Sequence, residues 1–158
     1  DTLVQSLVDN GLGPGSNVYA ELGSTWRYLM RDPDSAAHAI GKLLKYCGED
    51  NVLWGTDSIW YGSPQDQIQA FRAFRIAPEL AEAHGYPELT RARKAKIFGL
   101  NAMKPYRISV EEMRLRASGD RVSRELQSYR ADPNPHFRTW GPRNRREFLA
   151  LLRSGPAD

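Results

Sequence analysis

Apolar residues recur along the first half of this chain at two spacings, one typical of helices and one typical of short buried strands. Residues 17–22 (NVYAEL) and 52–54 (VLW) are rich in apolar and β-favouring residues and predict two strands. Apolar residues at helical spacing lie between them and predict a helix that Asp34 caps and Gly48 ends. The order strand, helix, strand predicts a right-handed βαβ unit with parallel strands. The apolar positions of the predicted helix are Ala37, Ile40, Leu43, Leu44 and Cys47.

N-cap residues, prolines and glycines predict further helices around this unit. Residues 23–26 and 58–62 are predicted as loops that follow the two strands. From Ser109, which begins a capping box, the sequence predicts helices and loops and no convincing third strand. The additional predicted helices lie at residues 1–11, 63–74, 87–101 and 142–152.

Two strands cannot form a stable sheet alone, because each needs a neighbour on its other edge. The pattern therefore predicts that the sheet is completed by another chain, or that this sequence is the end of a larger domain. The predicted division is residues 1–108 for the α/β part and residues 109–158 for a helical, Arg-rich extension.

Composition and charge exclude several classes of protein. The chain has 158 residues and a net charge of +3. The excess positive charge lies in residues 109–158, which contain 10 Arg and 7 acidic residues. The acidic residues reduce the positive charge of this region too far for a typical nucleic-acid-binding surface. No apolar run approaches the roughly 18 residues that span a bilayer, and the first residues carry no signal-peptide pattern. Cys47 is the only cysteine, which excludes an intrachain disulfide and favours a cytoplasmic protein.

Two motifs follow one another in an order that resembles a known family. Residues 51–57 (NVLWGTD) end a predicted strand on a glycine, a hydroxyl and the carboxylate of Asp57. Residues 96–102 (KIFGLNA) follow, with Tyr106 just after them. Over residues 15–108 the sequence resembles the carboxyl-terminal end of metal-dependent amidohydrolases, nearest the branch that includes nonoxidative decarboxylases. In that branch the last barrel strand ends in Gly-Ser/Thr-Asp, and a later helix carries Ile-x-x-x-Asn-Ala.

The resemblance implies an α/β fold, the carboxyl-terminal portion of a (β/α)₈ TIM barrel with a helical extension. Such barrels need about 250 residues, so this chain would hold the last two strands. The resemblance also implies a divalent metal, zinc in many members, whose ligands include a His-x-His pair and the Asp that matches Asp57. The chain departs from this pattern, because its histidines, His38, His84 and His136, form no His-x-His. We therefore expect the chain alone to be inactive.

The resemblance makes Asp57 the candidate catalytic residue, as metal ligand and proton shuttle. The alternative is a turn or helix cap. Glu21, Trp26 and Trp60 are candidate substrate-binding residues, because they lie near or after the predicted strand ends. A solvated Glu and aromatics packed on neighbouring helices are the alternatives. Asn101 is predicted to cap or bridge backbone.

Three functions remain open on the sequence alone. The first is hydrolysis of a C–N or C–O bond in an amide, ester or lactone by a metal-activated water. The second is nonoxidative decarboxylation on the same fold, and the third is a non-catalytic truncated barrel that acts as an interaction protein. The predicted partner is a small-molecule substrate, with no nucleic acid and no membrane, and a homo-oligomer is left open.

Overall fold

The computed structural model describes residues 2–132, together with Arg145, Arg146, Leu149 and Arg153. His136 and most of the predicted helix at residues 142–152 therefore lie outside the described residues. The chain divides into two compact units, which are described separately. The first unit comprises Asp1–Asp57 and Gln67–Ala102, and the second comprises Ser58–Asp66 and Met103–Asp158.

A small parallel sheet lies at the centre of the first unit. Strand β1 (Ala20–Glu21) pairs with strand β2 (Val52–Leu53), and Ala20 lies opposite Val52. Backbone bonds extend the pairing by one residue at each end, from Ala20 N to Asn51 O at 2.9 Å and from Leu22 N to Leu53 O at 3.0 Å. The parallel pair is confirmed, although both strands are shorter than predicted. Within the described residues each strand has only the other as a neighbour.

Helix α3 (Pro33–Tyr46) makes the crossover between the two strands. The predicted N-cap, Asp34, is wrong: the cap is Asp32, whose carboxylate accepts a hydrogen bond from Ser35 N at 3.2 Å. Pro33 decides between the two acids, because proline is favoured at the first helical position and the cap must precede it. The predicted apolar face is confirmed, since Ala37, Ile40, Leu44 and Cys47 are buried and Leu43 packs against them.

Besides α3, five helical segments lie wholly within the first unit, and one of them replaces a predicted loop. Residues 23–26 belong to helix α2 (Gly23–Leu29), because the buried Trp26 anchors one face of that helix in the core. The prediction of a loop there is wrong. The segments are α1 (Thr2–Asp9), α2 (Gly23–Leu29), α6 (Pro78–His84), α7 (Arg91–Ala95) and a π-helical segment (Lys96–Leu100). Helix α5 (Gln65–Ala73) follows Ser63, whose hydroxyl accepts a bond from Gln65 N at 3.4 Å.

An aromatic cluster forms the core around the sheet. The rings of Trp26 and Phe71 meet edge to face with centroids 4.9 Å apart, and Phe71 also meets Trp54 and Phe98. Edge-to-face pairs add about 0.5–1.5 kcal/mol beyond the area they bury. A smaller cluster contains Leu7, Ala20 and Cys47. Burial raises the pKa of the Cys47 thiol.

Polar side chains fix the amino-terminal end of β2. The Asn101 amide donates to Glu49 O at 2.7 Å and to Val52 O at 2.8 Å, which confirms that Asn101 bridges backbone. The π-helical turn before Asn101, closed by a bond from Asn101 N to Lys96 O, sets the register of this side chain. Glu49 also contacts Arg93 and Lys96, and hydrogen bonds from these two cations lower the pKa of its carboxyl group.

The described part of the second unit is helical. It contains α4 (Ser58–Tyr61), α8 (Met103–Tyr106), α9 (Val110–Ser118) and α10 (Arg121–Ala131). Helix α4 replaces the predicted loop at residues 58–62. Pro105 lies inside α8, where the first turn of a helix tolerates proline. The capping residue Ser109 is confirmed, because its hydroxyl accepts a bond from Glu112 N at 3.0 Å. No helix among the described residues has the length and apolarity needed to cross a bilayer.

Candidate functional site

Two carboxylates meet at the carboxyl end of the parallel strands. Glu21 is the last residue of β1, and Asp57 follows β2 by four positions. A side-chain carbon placed on Gly23 would lie 2.7 Å from Glu21 Oε2 and 3.0 Å from both Asp57 oxygens. The two carboxylates therefore surround one point beside Gly23. This is the edge of an α/β sheet where ligands bind.

Asp57 is held by a residue that lies 33 positions earlier in the chain. Ser24 donates to Asp57 Oδ2 twice, from its backbone N at 2.8 Å and from its hydroxyl at 2.6 Å. Asp57 itself has φ 47°, a left-handed conformation that few residues other than glycine adopt. Both hydrogen bonds lie on Oδ2, so they anchor this oxygen, and Oδ1 accepts neither of them.

The position of Glu21 explains two glycines of the sequence. Gly23 N donates to Glu21 Oε1 at 2.9 Å, which turns the carboxylate back along the chain. A side-chain carbon on Gly55 would overlap that same Glu21 oxygen. The glycine of the Gly-Thr-Asp motif is therefore the residue that makes room for Glu21. An alanine at either position would displace a carboxylate.

Gln67 supports the site from helix α5. Its side chain is 1% exposed, and its amide Nε2 donates to Thr56 O at 2.8 Å, one residue before Asp57. Its backbone carbonyl accepts a hydrogen bond from the indole of Trp26 at 3.0 Å. Within the described residues Gln67 Oε1 has no hydrogen-bond partner. Sequence reasoning missed both Ser24 and Gln67. The available signal for Gln67 was an amide at a core position of a helix, four residues before the buried Phe71.

The two tryptophans predicted to bind substrate occupy different environments. Trp26 is 1% exposed and packs against Phe71 and Phe74, so the structure places it in the core of the first unit. That placement corresponds to the alternative in which Trp26 packs on neighbouring helices. Trp60 lies in helix α4 of the second unit and is 71% exposed. A contact of Trp60 with substrate stays a prediction.

The two histidines within the described residues, His38 and His84, contact each other and Tyr86. His38 Nδ1 lies 3.0 Å from the Tyr86 hydroxyl, and the rings of His38 and His84 meet with centroids 4.8 Å apart. These contacts belong to the packing of α3 against α6 and Tyr86. Among residues 2–132 and the four later described residues, no three His, Cys, Asp or Glu side chains form a group that could hold a metal.

The two carboxylates at this edge of the sheet are suitable ligands for a hard or borderline divalent cation, but they do not make a complete set of metal ligands. Asp57 offers one carboxylate, and Glu21 offers a second beside the same glycine. A catalytic zinc takes three protein ligands and keeps one position open. The described residues therefore fit one side of such a site, and the remaining ligands would have to come from elsewhere.

Comparison with known proteins shows the family. No curated protein and no solved structure matches this chain. A family model described as amidohydrolase matches residues 14–108, more than half of the chain. The match covers both strands, the crossover helix, Glu21, Asp57 and Asn101. The chain belongs to the amidohydrolase family.

Proposed function

We propose that this chain is the carboxyl-terminal part of a (β/α)₈ barrel that catalyses metal-dependent hydrolysis of a C–N or C–O bond. The observation that carries the proposal is the meeting of Asp57 and Glu21 at the carboxyl ends of two parallel strands. Active sites of such barrels lie at that end. The parallel strands with their crossover helix support a place for the chain within a larger sheet, because barrel strands pair on both edges.

Asp57 is the proposed metal ligand and proton shuttle. A divalent metal, zinc by family resemblance, supplies Lewis acidity when it is bound. Ser24 holds Oδ2 through two hydrogen bonds, so Oδ1, which accepts neither of them, is the oxygen proposed to hold the metal. The carboxylate also accepts a proton and passes it towards the leaving group, the task of a general acid–base residue.

Glu21 is proposed to orient a polar group of the substrate. Its Oε2 lies on the Asp57 side of Gly23, while Oε1 is engaged by Gly23 N. This arrangement leaves one oxygen of Glu21 facing the point that both carboxylates surround. Trp60 is proposed to form an aromatic wall for a small-molecule substrate, since it is a large exposed apolar side chain that closely follows Asp57 in sequence.

Two other functions are retained because specific observations favour them. The motif Ile-x-x-x-Asn-Ala resembles that of the branch that includes nonoxidative decarboxylases, and Asn101 of this motif bonds the backbone of β2. On that alternative, Asp57 would protonate carbon after loss of carbon dioxide. The absence of a three-ligand group among the described residues favours a non-catalytic interaction protein.

The experiment compares two Asp→Asn variants of the full-length protein supplied with Zn²⁺. Asp57 and Asp32 both accept a hydrogen bond from a serine backbone N, but Asp32 only caps helix α3. Asn is itself a good cap, so Asp32→Asn should keep both stability and turnover. Asp57→Asn should keep the melting temperature and lower turnover at least about 10²-fold, because Asn carries no charge and accepts no proton.

Turnover is measured on a panel of amides, esters, lactones and carboxylic acids. Hydrolysis products support the hydrolase, and release of carbon dioxide supports the decarboxylase. Near-normal turnover by Asp57→Asn would refute the proposed role of Asp57. Failure of the wild-type protein to turn over any member of the panel, with no Zn²⁺ bound, would favour the interaction protein.

A further inference from the structure

We infer that Gln67 is a positioning residue that holds the Asp57 carboxylate in its working orientation. The inference rests on the proposed function, because it concerns the same site. Gln67 does not touch the carboxylate. It acts through two neighbours, the Thr56 carbonyl beside Asp57 and the Trp26 indole in the helix that carries Ser24.

The bond to Thr56 controls the backbone of Asp57. The Thr56 carbonyl and the Asp57 N–H belong to one planar peptide unit. Gln67 Nε2 donates to this carbonyl at 2.8 Å, and the hydrogen bond fixes the plane of the peptide unit. The backbone angle that follows this unit is the φ of Asp57, which is 47°. That conformation is unfavourable for a residue with a side chain and persists only where surrounding contacts impose it. Gln67 makes such a contact.

The hydrogen bond from Trp26 connects Gln67 to helix α2, which carries Ser24, the residue that donates to Asp57. Trp26 Nε1 donates to the Gln67 backbone carbonyl at 3.0 Å, and Trp26 follows Ser24 by two residues in helix α2. One residue of α5 therefore contacts both segments that carry the Ser24–Asp57 pair. A shift of α5 would move the donor and the acceptor of that pair together.

The burial of Gln67 indicates that the amide itself matters. The side chain is 1% exposed within a core of aromatic and aliphatic residues, and its Oε1 has no partner among the described residues. A buried polar atom without a partner lowers stability, whereas methionine would fill a similar volume without that cost. The amide adds the hydrogen bond to Thr56 O, which methionine cannot make.

The test uses Co²⁺ as the probe, because its visible absorption reports the coordination of the metal. Metal-free full-length protein is titrated with Co²⁺ as wild type, Gln67→Met and Asn51→Leu. Asn51 is the matched control: it is a buried amide whose Nδ2 bonds two backbone carbonyls, Ser16 O and Val18 O, at the opposite end of β2. Both variants should lower the melting temperature. Only Gln67→Met should weaken Co²⁺ binding by about 10–100-fold and change the visible spectrum, the effect expected of a residue that orients a ligand.

A second variant, Gln67→Glu, tests the hydrogen bond without removing the side chain. A protonated carboxyl group can donate to Thr56 O, and an ionised one cannot. The Co²⁺ affinity of Gln67→Glu relative to wild type at the same pH should therefore recover as the pH falls. A ratio that stays far below 1 even at the lowest pH would contradict the role of this bond, even if Gln67→Met fails to fold.

Asp57→Asn in the same titration separates the two proposals. If Asp57→Asn binds Co²⁺ as wild type does, the proposed function fails and Gln67 has no ligand to position. If Asp57→Asn loses Co²⁺ while Gln67→Met keeps the wild-type affinity and spectrum, only the inference about Gln67 is overturned. Equal losses in Gln67→Met and Asn51→Leu would also overturn it, because both would then reflect general destabilisation.

Discussion

Gly55→Ala tests whether the carboxylate of Glu21 occupies the position that the structure gives it. A side-chain carbon at position 55 would overlap Glu21 Oε1 and would lie 3.1 Å from Gly23 N. The backbone at Gly55 is not among the left-handed glycines, so alanine meets no conformational strain there. The main consequence of the substitution is therefore the displacement of Glu21, with a smaller effect from the close contact with Gly23 N.

The expected loss of stability follows from the contact that must break. Glu21 would give up its hydrogen bond from Gly23 N, and bonds to charged groups contribute roughly 1.5–3 kcal/mol. Glu21 is exposed, so water compensates and the lower end applies. Replacement of glycine by alanine contributes about 0.4–1 kcal/mol in the opposite direction. The net loss is about 0.5–1 kcal/mol, which lowers the melting temperature by about 1–4 °C in a domain of 150–250 residues.

Thermal unfolding of a double-mutant cycle in the full-length protein measures this effect. In a Glu21→Ala background the overlap with the carboxylate is absent and only the contact with Gly23 N remains, so Gly55→Ala should lower the melting temperature less there. Gly99→Ala is the control, because a side-chain carbon at Gly99 meets no heavy atom within 4 Å. An equal loss from Gly55→Ala in both backgrounds would refute the placement of Glu21.

Three further predictions concern the first unit. The lowered pKa of Glu49 means that its ion pairs stabilise the fold above the ordinary value of 4.5 and cease to do so as the pH falls through the lowered pKa. Glu49→Gln should therefore lower the melting temperature at neutral pH and should have no effect in strong acid. The loss in free energy of unfolding at neutral pH should be at most about 1 kcal/mol. An equal effect at both pH values would contradict this prediction. The Cys47 thiol is buried with a raised pKa, so it should react slowly with a thiol reagent until the protein unfolds, and rapid labelling of the native protein would contradict its burial. The chain on its own should bind Zn²⁺ weakly and should tend to associate through its unpaired strand edges. Stoichiometric submicromolar Zn²⁺ binding by calorimetry would count against its being one part of a larger metal site. A sharp unfolding transition of a clean monomer would count against its being one part of a larger sheet.

The sequence allowed prediction of features that depend on local pattern. The face of α3 follows from the helical spacing of its apolar residues, and the parallel pair follows from strand, helix, strand order. The positions of Glu21 and Asp57 at the strand ends follow from the same reasoning. The sequence also predicted that Asn101 bonds backbone, but it did not specify the carbonyls, Glu49 O and Val52 O, which lie 52 and 49 positions earlier in the chain.

Features that depend on distant contacts could not be predicted. Helix α2 begins with Gly-Ser-Thr, which favours a loop locally, and the burial of Trp26 overrides that preference. The hydrogen bonds of Ser24 and Gln67 join segments 33 and 11 residues apart, and no local pattern specifies such pairs. The assignment of a cytoplasmic location, a small-molecule partner and the division at residue 108 stay predictions.

The central claim is that Asp57 binds the metal of an amidohydrolase site, and Zn²⁺ titration by calorimetry tests it most directly. Metal-free full-length wild type should bind one Zn²⁺ per chain. Asp57→Asn should melt at the wild-type temperature and should lose more than the roughly 10–100-fold in affinity that residues supporting a ligand contribute. Asp32→Asn should bind Zn²⁺ as wild type does. Equal Zn²⁺ affinity in wild type and Asp57→Asn would contradict the claim and leave Asp57 as a structural carboxylate held by Ser24.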